Sequence, residues 1–157
     1  MVSLHRAPSA GEPARAVDEV QAVPGRGLVG DRYFLEKGFY SEKPGARELT
    51  LIELETLKAL RREHGIEFTP GETRRNVVTR GVSLNDLVGW EFQLGPLVVR
   101  GIRLCEPCLH LVEVTGKQVL APLVHRGGLR AEILTGGTIR VGDHVRPTPG
   151  SDHRTWT

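Results

Sequence analysis

The sequence has few aromatic residues, two cysteines and no long apolar run, and each shortage excludes a class of protein. Aromatic residues make up 5% of the 157 residues, and 21 basic residues nearly balance 19 acidic ones. A nucleic-acid-binding surface needs a basic tract interleaved with aromatics, so the composition predicts no nucleic-acid partner. No apolar stretch approaches the roughly 20 residues that span a bilayer, so we expect no membrane segment.

The beginning and length of the chain predict a cytoplasmic protein of one domain. The first stretch, MVSLHRAPSAGEP, lacks the apolar core of a secretory signal peptide. A chain of this length buries a core without disulfide or metal staples, and we expect reduced cysteines. The prediction is a single domain over residues 1–146 and a disordered tail over residues 147–157.

Turn residues divide the chain into many short elements. Segments typical of strands lie at residues 2–6, 16–23, 90–94, 97–104, 129–134, 138–141 and 144–146. One helix is predicted to begin at Thr50, with Glu53 completing a capping box, and to end at Gly65. Ser83 is predicted to cap a further helical turn. The pattern favours a mainly β fold with a few short helices and an antiparallel, barrel-like sheet.

Both cysteines fall in the segment 101–116, GIRLCEPCLHLVEVTG. A thiolate is a strong nucleophile and a preferred ligand of soft metals, so Cys105 and Cys108 are the leading candidates for chemistry. The flanking residues are typical of strands. If the segment is extended, His110 shares a face with Cys108 and is placed to transfer a proton there.

Four interpretations of the two cysteines stay open from the residues alone. They are small buried hydrophobic residues, or half of a zinc site completed by His110 and His125. They form a thioredoxin-like dithiol, favoured by Pro107 before the second cysteine. In the fourth interpretation, one thiolate ligates a soft transition metal or carries sulfur as a persulfide.

Arginine recurs beside glycine and turn residues. Backbone amides of glycine-rich loops and guanidinium groups together hold phosphate, so this pattern suits a small anionic ligand, with a solvated surface as the alternative. The positions are Arg26, Arg32, Arg74, Arg75, Arg80, Arg126 and Arg130.

Five segments resemble, in the same order, the MOSC domain, the C-terminal domain of molybdenum cofactor sulfurases. They are GLVGDRY (27–33), LTLIELETL (49–57), RRNVVTRGVSLNDLVGWEF (74–92), RLCEPCLHLVEVTG (103–116) and GGLRAEILTGGTIRVGDHV (127–145). The resemblance implies a β-rich, barrel-like fold and a pocket for molybdenum cofactor served by one cysteine. The residue that matches this cysteine is Cys108, because of its place before Thr115 and Gly116.

The resemblance also implies roles for the neighbouring residues. In the reductase branch of the family the matching thiolate binds molybdenum beside the dithiolene of molybdopterin, and in the sulfurase branch it accepts and passes on sulfur. Cys105 matches only smaller standalone members, so its role stays open. The implied cofactor-binding residues are Gly30, Asp31, Arg32, Arg75 and Asn76, with Asp31 alternatively orienting Arg32 or capping a turn; Arg47, Arg74 and Arg130 are further candidates.

The expected function is that of a small standalone MOSC-type protein that binds molybdenum cofactor and reduces N-oxygenated small molecules. No pyridoxal-phosphate desulfurase domain and no N-terminal β-barrel domain of the larger reductases is seen, so an electron-donor protein is the expected partner. The first alternative is a sulfur carrier loaded by a separate cysteine desulfurase, to which the pyridoxal phosphate would belong. The second alternative is a binding domain without catalysis.

Overall fold

The computed structural model describes residues 1–39 and 48–148. Eleven strands are present in this part of the chain: β1 Ser3–Arg6, β2 Arg15–Ala16, β3 Glu19–Val23, β4 Gly27–Leu28, β5 Leu49–Glu53, β6 Val77–Thr79, β7 Glu91–Leu94, β8 Leu97–Leu104, β9 Leu129–Thr135, β10 Gly137–Arg140 and β11 Val145–Pro147. The helices are α1 Leu54–His64 and α2 Leu109–Thr115, with single 3-10 turns at Gly71–Thr73 and Leu84–Leu87.

The strands form two sheets. The larger has the order β11-β7-β8-β9-β5-β6-β1-β2, and the smaller has the order β10-β3-β4. All pairs within the sheets are antiparallel except β5 and β6, which α1 connects in parallel. The predicted mainly β fold with few helices is confirmed. Neither sheet closes on itself within the described residues, so no closed barrel is formed there.

The two faces of the large sheet pack against different partners. Successive residues of a strand point to opposite faces, and β5 shows this directly. Leu51 belongs to an apolar cluster with residues of the small sheet such as Val20 and Ile139. Ile52 belongs to a second cluster with Leu57 of α1 and residues of α2. The sheet is therefore covered by strands on one face and by helices on the other.

The predicted start of the first helix is wrong. Residues 49–53 form β5, and the helix begins at Leu54. Thr50 does not cap it, because its side chain and backbone pair with Asn76 inside the sheet. Burial between two neighbouring strands overrides the local capping preference. The predicted end is confirmed, since Gly65 adopts the left-handed conformation, φ 65°, as the C-cap.

The strand-like interpretation of the residues after Cys108 is also wrong, because they form α2. Leu111 packs into the cluster under the helices, and Gly116 ends the helix at φ 68°. His110 therefore shares no extended face with Cys108. No helix in the two described ranges has the length and apolar character needed to cross a membrane.

The last described strand ends at Pro147, one residue beyond the predicted domain boundary, and the Thr148 hydroxyl donates to the Glu91 carbonyl. Residues 149–157 lie outside the described part, so the disordered tail stays a prediction.

Candidate functional site

A cavity of about 410 Å³ lies between the end of β8, the start of α2 and the residues preceding β6. Both cysteines and His110 line it, with a single carboxylate, Glu106. Five arginines also line it: Arg32, Arg74, Arg75, Arg103 and Arg130. Because guanidinium groups stay charged at any physiological pH, the described lining is strongly cationic and attracts anions.

The two cysteines occupy unequal positions in this cavity. Cys105 directly follows β8 and is buried, with 7% of its surface exposed. Cys108 is partly exposed and stands at the N-cap of α2, where its carbonyl accepts hydrogen bonds from the amides of Leu111 and Val112. Both thiols are free. Cys108 is therefore the thiol that an incoming ligand reaches more easily.

Arg75 holds the cysteine loop, residues 105–108, in place. Its Nε donates to the Gly127 carbonyl at 2.8 Å and its Nη2 to the Cys105 carbonyl at 3.0 Å. Its Nη1 donates to the Thr73 carbonyl at 3.2 Å. The Cys105 amide in turn donates to the Gly128 carbonyl at 2.7 Å. A buried guanidinium with three backbone acceptors positions the thiols, whatever further contact it makes in the cavity.

Arg32 and Arg74 are held just as firmly by the protein. Arg32 contacts the buried Asp31 at 3.2 Å, and its Nη2 donates to the Arg74 carbonyl at 3.0 Å. Arg74 donates to the carbonyls of Ser9, Ala10 and Glu12. Burial, and then the charge of Arg32, lowers the pKa of Arg74 to about 10, so Arg74 is still cationic at neutral pH. Arg32 and Arg74 form a rigid cationic pair.

His110 lines the cavity from α2 and stacks on Phe39, with 4.1 Å between the ring centroids and 10° between the planes. Burial lowers the pKa of His110 below its ordinary value of 6.5, and the charges of Arg74 and Arg32 act in the same direction. The imidazole is therefore neutral at pH 7. A neutral ring donates through one nitrogen and accepts through the other, as a proton-transfer group must.

We expect replacement of Phe39 by alanine to raise the pKa of His110 toward 6.5, because the stacked ring shields the imidazole from water. As the pH is lowered, the imidazole of the variant would then become protonated at a higher pH than that of the wild type. An NMR titration of the imidazole C–H signals measures the midpoint. The control is Phe34→Ala, since Phe34 stacks on Arg26 instead. Equal midpoints in Phe39→Ala and the wild type would contradict the shielding.

The residues implied by the resemblance separate into two groups. Cys105, Cys108, His110, Arg32 and Arg75 line the cavity, as do the further candidates Arg74 and Arg130. The other three do not line it. Gly30 lies beside the Arg6 side chain, and Asp31 contacts Arg32 and accepts a hydrogen bond from the Ala7 amide. Asn76 accepts a hydrogen bond from Thr50 and donates one to the His5 carbonyl. Arg47 lies outside the described residues.

Metal binding by protein groups alone is not supported. Within the described ranges no group of three or more His, Cys, Asp or Glu side chains is arranged to hold a metal ion. A structural zinc needs about four protein ligands, so a zinc site completed by His110 and His125 is not formed here. His125 instead accompanies Glu106, whose carboxylate accepts the His125 amide at 3.0 Å.

Arg103 and Thr50 line the cavity although the sequence did not single them out for it. Arg103 precedes Cys105 by two positions at the end of a predicted strand. Since side chains two positions apart share a strand face, that spacing was a usable signal. No comparable signal marked Thr50, because its place depends on the pairing of β5 with β9.

The family model of the MOSC domain matches residues 26–146. No curated protein matches the chain. Among solved structures, the YuaD protein from Bacillus subtilis is similar at a TM-score of 0.75, with 17% identity over 91% of each chain. YiiM from Geobacillus stearothermophilus has a TM-score of 0.69 and 16% identity over 94% of this chain and 74% of its own. YiiM from Escherichia coli has a TM-score of 0.67 and 19% identity over 97% of this chain and 72% of its own. At these identities the likeness shows a shared fold.

Proposed function

Because the chain belongs to the MOSC domain family, we propose that it binds molybdenum cofactor through the Cys108 thiolate and reduces small N-oxygenated molecules with electrons from a partner protein. The observation that carries this proposal is the position of Cys108. It is a partly exposed free thiol in a cavity lined by five arginines.

The residues present fit such a cofactor. A thiolate is a suitable donor for a soft metal, and the described residues supply no further cluster of ligands, so the metal would have to bring its other donors with it. The dithiolene of molybdopterin meets that requirement. Its phosphate needs cationic donors, which the rigid pair of Arg32 and Arg74 offers. The volume of about 410 Å³ suits a small-molecule site.

When bound, the cofactor supplies oxygen-atom transfer, and the chain positions and protonates the reactants. Cys108 would hold the metal, and Arg75 keeps the cysteine loop in one conformation through the Cys105 carbonyl. Reduction of an N–O bond to an N–H bond and water consumes two protons and two electrons. His110 hydrogen-bonds the Ala10 backbone, and its other imidazole nitrogen is the group that would exchange protons with water in the cavity. The electrons come from the partner protein.

Molybdenum and pterin content tests the proposal. We expect the wild type purified from a host that makes molybdenum cofactor to contain both, and Cys108→Ser to lose most of its molybdenum, because an alcohol is a poor ligand for a soft metal. Cys105→Ser is the matched control and should keep its molybdenum. A wild type without molybdenum and pterin, or equal content in Cys108→Ser, would sink the proposal.

A sulfur carrier is the second candidate, and the shared cavity of the two cysteines favours it. A persulfide on Cys108 can be attacked by the Cys105 thiolate, which forms a Cys105–Cys108 disulfide and releases the outer sulfur as hydrosulfide. Loading requires a cysteine desulfurase with its own pyridoxal phosphate. Incubation with such an enzyme and labelled cysteine should place label on Cys108. A protein that retains molybdenum and never takes up label is not a carrier.

A further inference from the structure

Two arginines stand directly opposite each other where the cavity meets the large sheet. Arg103 of β8 pairs in register with Arg130 of β9, and Arg130 pairs in turn with Thr50 of β5. Residues in register on neighbouring strands project from the same face, with strands about 4.8 Å apart. All three side chains line the cavity. We call Arg103, Arg130 and Thr50 the arginine row.

The arginine row is a second cationic group, separate from the rigid pair of Arg32 and Arg74. That pair and Arg75 donate mainly to backbone carbonyl groups and are fixed by them. Arg103 differs, because it is exposed at the cavity, on a strand that ends beside Cys105. The row therefore presents guanidinium groups near the thiols.

The charges around the row favour an anion. The described lining carries five guanidinium groups against one carboxylate, and that carboxylate, Glu106, accepts the His125 amide. An oxyanion lying between Arg103 and Arg130 can accept a charge-assisted hydrogen bond from each guanidinium. The Thr50 hydroxyl lies at the end of the row but already donates to Asn76.

We propose that the arginine row binds a carboxylate of the substrate, so that the substrate class is acidic N-oxygenated molecules. This inference rests on the proposed function, because one cofactor phosphate engages one cationic group and leaves the other for a second anion. The row begins two residues before Cys105, close to the cysteine loop that carries Cys108. The carboxylate is the positioning group, and Arg103 and Arg130 determine specificity.

The first experiment needs no turnover. Benzoate and the neutral benzamide are titrated into the full chain by calorimetry. We expect the protein to prefer benzoate, and Arg103→Gln and Arg130→Gln each to weaken benzoate binding roughly tenfold or more, the usual worth of a hydrogen bond between charged groups. The control Arg100→Gln removes the same charge from β8 outside the cavity, where Arg100 pairs with Glu91 and Glu132. It should bind as the wild type does.

Loss of preference for benzoate, or equal affinities in all the variants, overturns the proposal. Thermal unfolding of each variant shows whether it is folded, and exposed Arg103 is the site where folding is least at risk. A folded Arg103→Gln with unchanged benzoate affinity therefore counts against the row directly.

The second experiment separates the substrate from the cofactor. With phenylhydroxylamine and 4-(hydroxyamino)benzoate as substrates, Arg103→Gln should raise KM for the carboxylated compound roughly tenfold or more and leave its kcat unchanged. Kinetics with the neutral compound and the molybdenum content should not change. A fall in molybdenum content would show that the row holds the cofactor phosphate, which overturns the substrate assignment. A wild type without molybdenum defeats the proposed function, while the benzoate result stands by itself.

Discussion

Replacement of Gly128 by alanine is expected to lower the free energy of unfolding by about 3–5 kcal/mol. A Cβ at this position would lie 2.1 Å from the Leu51 carbonyl oxygen and 3.1 Å from its carbon. Gly128 also has φ +111°, a conformation that other residues rarely adopt. Leu51 lies in β5, at the centre of the large sheet, so relief of the overlap must displace a buried strand. Urea unfolding measures the loss.

Gly116→Ala separates the overlap from the backbone conformation. Gly116 ends α2 at φ +68°, and nothing lies within 4 Å of an added Cβ. Its replacement should cost only the left-handed conformation, about 1–2 kcal/mol. Equal losses in the two variants would show that the close approach of Gly128 to Leu51 contributes nothing.

Replacement of Arg75 by methionine is expected to cost about 3 kcal/mol or more of stability and, under the proposed function, to lower the molybdenum content. The change removes the hydrogen-bond donor of three backbone carbonyls, those of Thr73, Cys105 and Gly127. Each carbonyl that stays buried and unpaired costs about 1–3 kcal/mol. The freed cysteine loop no longer holds Cys108 in one place. Urea unfolding and molybdenum content report the two effects.

Arg140→Met is the matched control for Arg75→Met. Arg140 makes an exposed ion pair with Glu19 at 2.8 Å, and exposed pairs contribute between nothing and about 1 kcal/mol. Its loss should change stability by about 0.5 kcal/mol at most and leave the molybdenum content as it was. If Arg75→Met were as mild as this control, Arg75 would not be what fixes the cysteine loop.

The cavity shows a division of labour among arginines that the resemblance to the family does not imply. The resemblance makes Arg75 and Asn76 cofactor contacts, whereas Asn76 does not line the cavity and pairs with Thr50. Arg75 secures the loop that carries the thiols. The ligand-facing candidates are then the rigid pair and the arginine row. Loss of Arg75 is therefore expected to affect stability directly and the ligand through the cysteine loop, whereas loss of an arginine of the row is expected to affect ligand affinity directly.

What the sequence determined by itself is local. The strand predicted at residues 97–104 is present as Leu97–Leu104, because alternation and the turn at Gly95 and Pro96 are read from neighbouring residues. The helix end at Gly65 is local in the same way. Five motifs in the same order were sufficient to identify the family. The spacing of Cys105 and Cys108 indicated the segment that lines the cavity.

Tertiary structure alone decided the rest. Residues 49–53 became a strand because β6 and β9 pair with them, and residues 109–115 became a helix because Leu111 packs beneath the sheet. Arg103 and Arg130 are 27 positions apart in the chain, and only the register of β8 and β9 places them opposite each other. Strand register and burial depend on partners distant in sequence, and those partners outweigh the preferences of a short segment.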